Sequence, residues 1–143
     1  MKKAQSSIEI TLLIGFMFLV FNIFLLVIAE RMVDVQNQKD RQLIENMGSV
    51  IEGEIELAAG VEDGYLRTFE IPKTLKGINY SVTFISSTTM GTNYSELVLE
   101  YVNFTKTYET VKKLPKNVDG AICKGKNNIV KENGIVLLNN VCS

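Results

Sequence analysis

The chain has 143 residues, a formal net charge of −1, and neither histidine nor tryptophan. Near-zero charge gives no basic field for nucleic acid, and the missing histidine removes the commonest general base and the commonest metal ligand. The length allows one soluble domain at most beyond an anchor, and no metal, cofactor or nucleic-acid partner is expected.

Lys2 and Lys3 stand before a long apolar run. From Ile10 to Ala29 there is no charge, and only Thr11 and Asn22 are clearly polar. As a helix at about 1.5 Å per residue, that stretch covers roughly 30 Å, the thickness of a bilayer's hydrocarbon core. Lysines on one side and a roughly cancelling Glu30, Arg31 and Asp34 on the other predict a cytoplasmic N-terminus and an external C-terminal domain. A secretory signal carries its small-residue cleavage site after the apolar run. Here the run passes through Ala29 into Glu30 and Arg31 without a clear site, and the small residue, Ala4, comes before it.

The order is thus Lys2-Lys3-Ala4, then Gln5-Ser6-Ser7-Ile8-Glu9, then the apolar run. This resembles archaeal type IV pilin-like proteins with class III signal peptides, which join a short basic leader, a Q-x-S-x-E motif and an apolar helix. The resemblance implies a processing motif of Gln5, Ser7 and Glu9 and cleavage by a prepilin peptidase between Ala4 and Gln5. It also implies self-assembly into a helical filament by pilus assembly machinery, with the helix kept on the mature chain. Ala4 departs from the glycine such leaders often carry, although a small residue still fits. The likeness covers Gln5 to Ala29 and the leader; the rest matches only loosely.

Glu9 has a physical argument of its own. A carboxylate at the edge of hydrocarbon costs several kcal/mol unless it is paired. It is either solvated among headgroups or paired with the α-amine of Gln5 that cleavage would create, on its own chain or a neighbour's. Cleavage would also remove Lys2 and Lys3, shifting the net charge to −3. Gly15 and Asn22 interrupt the run. Close helix approach and interhelical hydrogen bonding are one explanation, simple tolerance the other.

Glu30 to Gln42 is polar without Gly or Pro, which suits a continuing helix. Leu43, Ile44, Met47, Val50, Ile51, Ile55 and Ala58 then recur at helical spacing, and Gly60 is the expected C-terminal cap. Beyond it the period changes to two. Tyr65–Ile71 reads as a strand stopped by Pro72, Leu75-Lys76-Gly77 as a turn, and Ile78–Ile85 as a strand with Ile78, Tyr80, Val82 and Phe84 on one face. Ser86–Asn93 reads as a loop, Leu97–Phe104 as a strand, and Lys106–Leu114 as a strand with Tyr108 and Val111 inward. Asn133-Gly134 between two apolar runs predicts a hairpin.

The expected fold class is therefore α+β: a long helix, apolar in its first half and amphipathic in its second, packed under an antiparallel β-sheet head of five or six strands, as in type IV pilins. The expected organisation is a leader at 1–4, a transmembrane or filament-core helix at 5–29, its amphipathic continuation at 30–60, and an extracellular β-sheet domain at 61–143.

No catalytic constellation stands out. Glu96, Glu100 and Glu109 fall at strand spacing and read as a solvated face. Asn79-Tyr80-Ser81, Asn93-Tyr94-Ser95 and Asn103-Phe104-Thr105 are N-glycosylation sequons, with Asn93, in its loop, the best placed. Cys123 and Cys142 flank the predicted hairpin, and an exported domain favours their pairing in a disulfide over two free thiols. These readings lead to a structural filament subunit, not an enzyme. The alternative is a non-polymerising single-span protein with an external binding domain.

Overall fold

A computed structural model describes residues 2–102 and 107–140, and for residues 2–7 and 140 the backbone alone. Helix α1 spans Lys2–Gly60, 59 residues. Both prolines lie beyond it, at Pro72 and Pro115, so nothing removes a donor from its ladder. The chain divides into compact units Met1–Lys39 and Asp40–Ser143, and each is described by itself.

In the first unit, α1 has no covering layer among the described residues. Every large hydrophobic side chain from Ile8 to Ile28 is exposed. The helix is long and apolar enough to cross a membrane as a single span.

The second unit packs the amphipathic end of α1 with seven strands among the described residues. β1 is Leu66–Ile71 and β2 Tyr80–Ile85; a one-turn helix, α2, follows at Ser87–Met90. β3 is Ser95–Val102, β4 Thr107–Leu114, β5 Val118–Gly120, β6 Gly125–Glu132 and β7 Ile135–Asn140. They form two sheets, not the one expected. β2, β3 and β4 make a meander, while the other sheet runs β1-β6-β7-β5. Nor is pairing all antiparallel, because β5 runs parallel to β7. Alternation in a sequence identifies strands and their faces but not their partners. β1 pairs with β6 across a long stretch of chain, so it joins the second sheet and not the meander.

The two glycine turns form as the sequence predicts. Asn133 and Gly134 have φ of 53° and 76°, the left-handed pair that a two-residue hairpin turn needs. Glu132 and Ile135 face each other across it. Lys76 and Gly77 repeat the device between Leu75 and Ile78, which exchange backbone hydrogen bonds of 3.0 and 2.9 Å.

The core joins Ile44, Ile51, Ile55 and Ala58 of α1 to Leu97, Leu99 and Tyr101 of the meander and Ile71, Ile129, Val136 and Leu138 of the other sheet. Val50 does not belong to this stripe, being 57% exposed. It precedes Ile51 by one residue, about 100° of helical rotation, which turns it off the buried face. Gly48 is buried, and a Cβ there would meet Lys112 Cγ at 3.4 Å and Leu99 Cδ1 at 3.5 Å. A methyl group fits there in ordinary contact, whereas a larger side chain would press on β3 and β4. Val111 is likewise outward, 46% exposed. Tyr108 and Val111 are an odd number of residues apart, so one strand cannot turn both inward.

Two further expectations change. Ser86–Asn93 is not wholly loop. Ser86 caps α2, its Oγ accepting from Thr89 N, and Gly91 closes the turn at φ 67°. Gly60 is the last residue of α1 and has no left-handed conformation; the positive φ nearest the helix end is Gly64 at 94°. The end of the helix is held instead by a distant lysine. Lys131 Nζ donates to Ala59 O at 2.8 Å and Val61 O at 2.6 Å, placing a cation on carbonyls that lack helical donors.

Candidate functional sites

The peptide between Ala4 and Gln5 lies in helical backbone. The side chains of Gln5 and Ser7 fall outside the described residues. Glu9 is exposed on α1 and enters no ion pair among the described residues. Asn22 donates its amide to Phe18 O at 2.8 Å, within its own helix. Gly15 leaves a notch, with no atom within 4 Å of where a Cβ would stand.

The sequons differ in what surrounds their hydroxyls. Asn79 and Ser81 are both exposed, flanking the buried Tyr80. Asn93 is exposed, but Ser95 is fully buried. The Ser95 hydroxyl accepts from Ser87 N at 3.0 Å and donates to Val118 O at 3.3 Å, tying β3 to β5 of the other sheet. Ser87 Oγ reinforces the link by donating to Lys116 O at 3.0 Å. Asn103 lies outside the described residues.

Cys142 also lies outside them. Cys123 carries no free thiol. Its loop is held by the fully buried Asn127, whose side chain makes three hydrogen bonds to the backbone. Asn127 Oδ1 accepts from Cys123 N at 3.0 Å, and Nδ2 donates to Cys123 O at 2.8 Å and Gly125 O at 3.1 Å. Asn127 is also the register partner of Asn140 at the end of β7. The clamp therefore holds Cys123 near the strand end from which the chain continues toward Cys142.

Among the carboxylates, Glu100 and Glu109 are exposed cross-strand neighbours on the outer face of the meander, and Glu96 is half-buried opposite Lys113. Glu54 and Glu52 anchor α1 to the sheets. Arg67 reaches both Glu54 oxygens at 2.9 Å, the contact to Oε2 being charge–charge without hydrogen-bond alignment. Lys112 lies 3.3 Å from Glu52. Asp40, buried at the start of the second unit, accepts a hydrogen bond from Tyr101, whose ring stacks on Tyr108 at 6.1 Å. Burial first, and then the Asp40 carboxylate, push the Tyr101 phenol above its ordinary pKa. Desolvation alone pushes Tyr80 up to about 12. Its hydroxyl donates to Pro72 O, while Lys124 Nζ donates to Tyr80 O at 2.8 Å and lies 5.4 Å from its ring centroid.

Asp40, Asn127 and Lys131 carry no signal in the sequence. Each acts through a partner remote in sequence or in a turn, and no local pattern signals it. Comparison with protein-family models, with curated proteins and with solved structures finds no match.

Proposed function

We propose that the chain is a structural subunit of a type IV pilus-like surface filament. A prepilin peptidase cuts it between Ala4 and Gln5, and assembly machinery polymerises it through α1. The observation that carries this reading is the uncovered apolar helix with one acid, Glu9, exposed at its entrance. Bare hydrocarbon surface on that scale needs a lipid or protein environment. A lone carboxylate at its edge calls for a cation, which the new α-amine of Gln5 supplies after cleavage.

In this reading Lys2 and Lys3 stay cytoplasmic and the β-sheet unit lies outside the cell. The membrane holds the subunit before assembly, and stems of neighbouring copies replace the lipid afterwards. The role is structural rather than catalytic. Outside the cell, Cys123 pairs with Cys142, and reduction adds the mass of two hydrogens; an unchanged mass would sink that pairing. The exported sequons are candidate glycan acceptors.

The alternative is a single-span anchor whose external unit binds a partner without polymerising. Asn22 favours it, because its amide donates to Phe18 O within its own helix and not to a neighbouring one. Mass spectrometry of the mature N-terminus separates the two. The filament reading expects Gln5 first, and an uncut chain rejects it. Glu9→Ala should leave membrane insertion intact while lowering filament yield. An unchanged yield would remove the pairing argument.

A further inference from the structure

The three sequons look equivalent as text, and Asn93 looks best because it lies in a loop. The fold ranks Asn79 and Asn93 differently, through the parity of two strands. Successive side chains of a strand point to opposite faces, so the asparagine and the hydroxyl two residues on share a face wherever the segment is extended. In β2 the odd positions face out: Ser81 and Thr83 are exposed, Tyr80 is buried, and Asn79, just before the strand, is exposed. In β3 the odd positions face in: Ser95, Leu97, Leu99 and Tyr101 are all buried. Ser95 therefore belongs to the core side, where its hydroxyl both accepts and donates a hydrogen bond.

We infer that Asn79 is an N-glycan acceptor of the folded chain and that folding closes the Asn93 sequon. The inference rests on the reading that the second unit is exported. A glycosylating enzyme reads the asparagine together with the hydroxyl two residues on, which is why the acceptor pattern needs Ser or Thr there. At Asn79 both groups are on one open face, and Ser81 Oγ makes only a long 3.5 Å contact to Glu100 O. β2 is also an edge strand, paired with β3 alone, so its other side is open to an approaching enzyme. At Asn93 the enzyme would have to extract Ser95 from between the two sheets, breaking its bonds to Ser87 N and Val118 O.

The donor is a polyprenol-phosphate-linked oligosaccharide. Asn79 Nδ2 forms the bond to the sugar's anomeric carbon and gives up one proton. The bond from that carbon to the lipid phosphate breaks, and the lipid phosphate leaves with the electron pair. No electrons are exchanged with an oxidant or reductant.

The test uses full-length chain carrying Asn103→Gln, folded in detergent, with a purified oligosaccharyltransferase and its polyprenol-linked oligosaccharide. Synthetic peptides spanning each remaining sequon serve as unfolded acceptors. Peptide mapping should find the glycan on Asn79 and not on Asn93 of the folded chain, whereas the Asn93 peptide is modified. Asn79→Gln should lose the modification, and Asn93→Gln should keep it. Modification of Asn93 on the folded chain overturns the inference, as does an unmodified Asn79. Transfer is read whether or not the chain polymerises. The chain is dispersed by detergent under either reading, so glycan on Asn79 tests this inference alone, and the mature N-terminus separately decides the filament reading.

Discussion

Lys131 Nζ lies 2.8 Å from the carbonyl oxygen of Ala59, so a strand residue caps the C-terminus of the helix that begins the chain. The same ammonium reaches Val61 O, and the backbone N–H of Lys131 donates to Tyr65 O at 2.9 Å. Helix end, connector and β6 are thereby fixed to one another. Lys131→Met keeps most of the apolar stem and deletes the charge. It should cost about 1–2 kcal/mol in chemical denaturation, the worth of charged hydrogen bonds at a helix C-terminus. An unchanged midpoint would show that water caps the helix equally well.

Gly120 has φ 113°, and a Cβ there would stand 2.1 Å from Leu138 O. That approach falls within the parallel pairing of β5 with β7, where Gly120 is the register partner of Leu138. Gly120→Ala combines a left-handed backbone with a backbone clash and should cost roughly 3 kcal/mol or more. Gly134→Asn is the control. It is also left-handed, at φ 76°, but with nothing within 4 Å, and should cost about 1 kcal/mol or less. Equal losses in thermal melts of the two variants would refute the clash.

Gly48 makes a graded prediction. Gly48→Ala meets only flexible or apolar side-chain atoms at 3.4 Å and beyond and gains helix propensity of up to about 1 kcal/mol. It should be neutral or stabilising. Gly48→Leu must push β4 away and part Lys112 from Glu52, costing about 1–3 kcal/mol. Urea midpoints of the two variants should lie on opposite sides of the wild type, or the alanine at it.

Burial of Tyr80 gives the protein an alkaline limit. Its pKa rises from 10.0 to about 12 in the folded chain. The unfolded chain therefore ionises first. The contribution of Tyr80 to stability is fully present below pH 10 and is lost as pH climbs toward about 12. Tyr101 shifts in the same direction and adds to the slope. Tyr80→Phe should lose about 1 kcal/mol at neutral pH, from its bond to Pro72 O, and show a shallower alkaline slope. A slope identical to wild type in denaturation across that range would remove Tyr80 as its cause.

The sequence by itself determined what depends on neighbours along the chain. An uncharged stretch from Ile10 to Ala29 dictates a membrane-length helix. Asn133-Gly134 dictates a tight hairpin, because both positions need left-handed φ. Alternation at Tyr80, Val82 and Phe84 dictates which face of β2 packs inward. Gln5, Ser7 and Glu9 are legible in the same way, as a pattern written before an apolar run. Tertiary structure decided what depends on which surfaces meet. It split the strands into two sheets, ran β5 parallel to β7, turned Val50 and Val111 outward, and placed Lys131 at the end of α1. It also separated two identical-looking sequons, by burying Ser95 and exposing Ser81. The physical reason is range. Periodicity and turn angles are set within a few residues, whereas partner choice and the closest approaches, at Gly48 and Gly120, are set by the free energy of packing segments far apart in the chain.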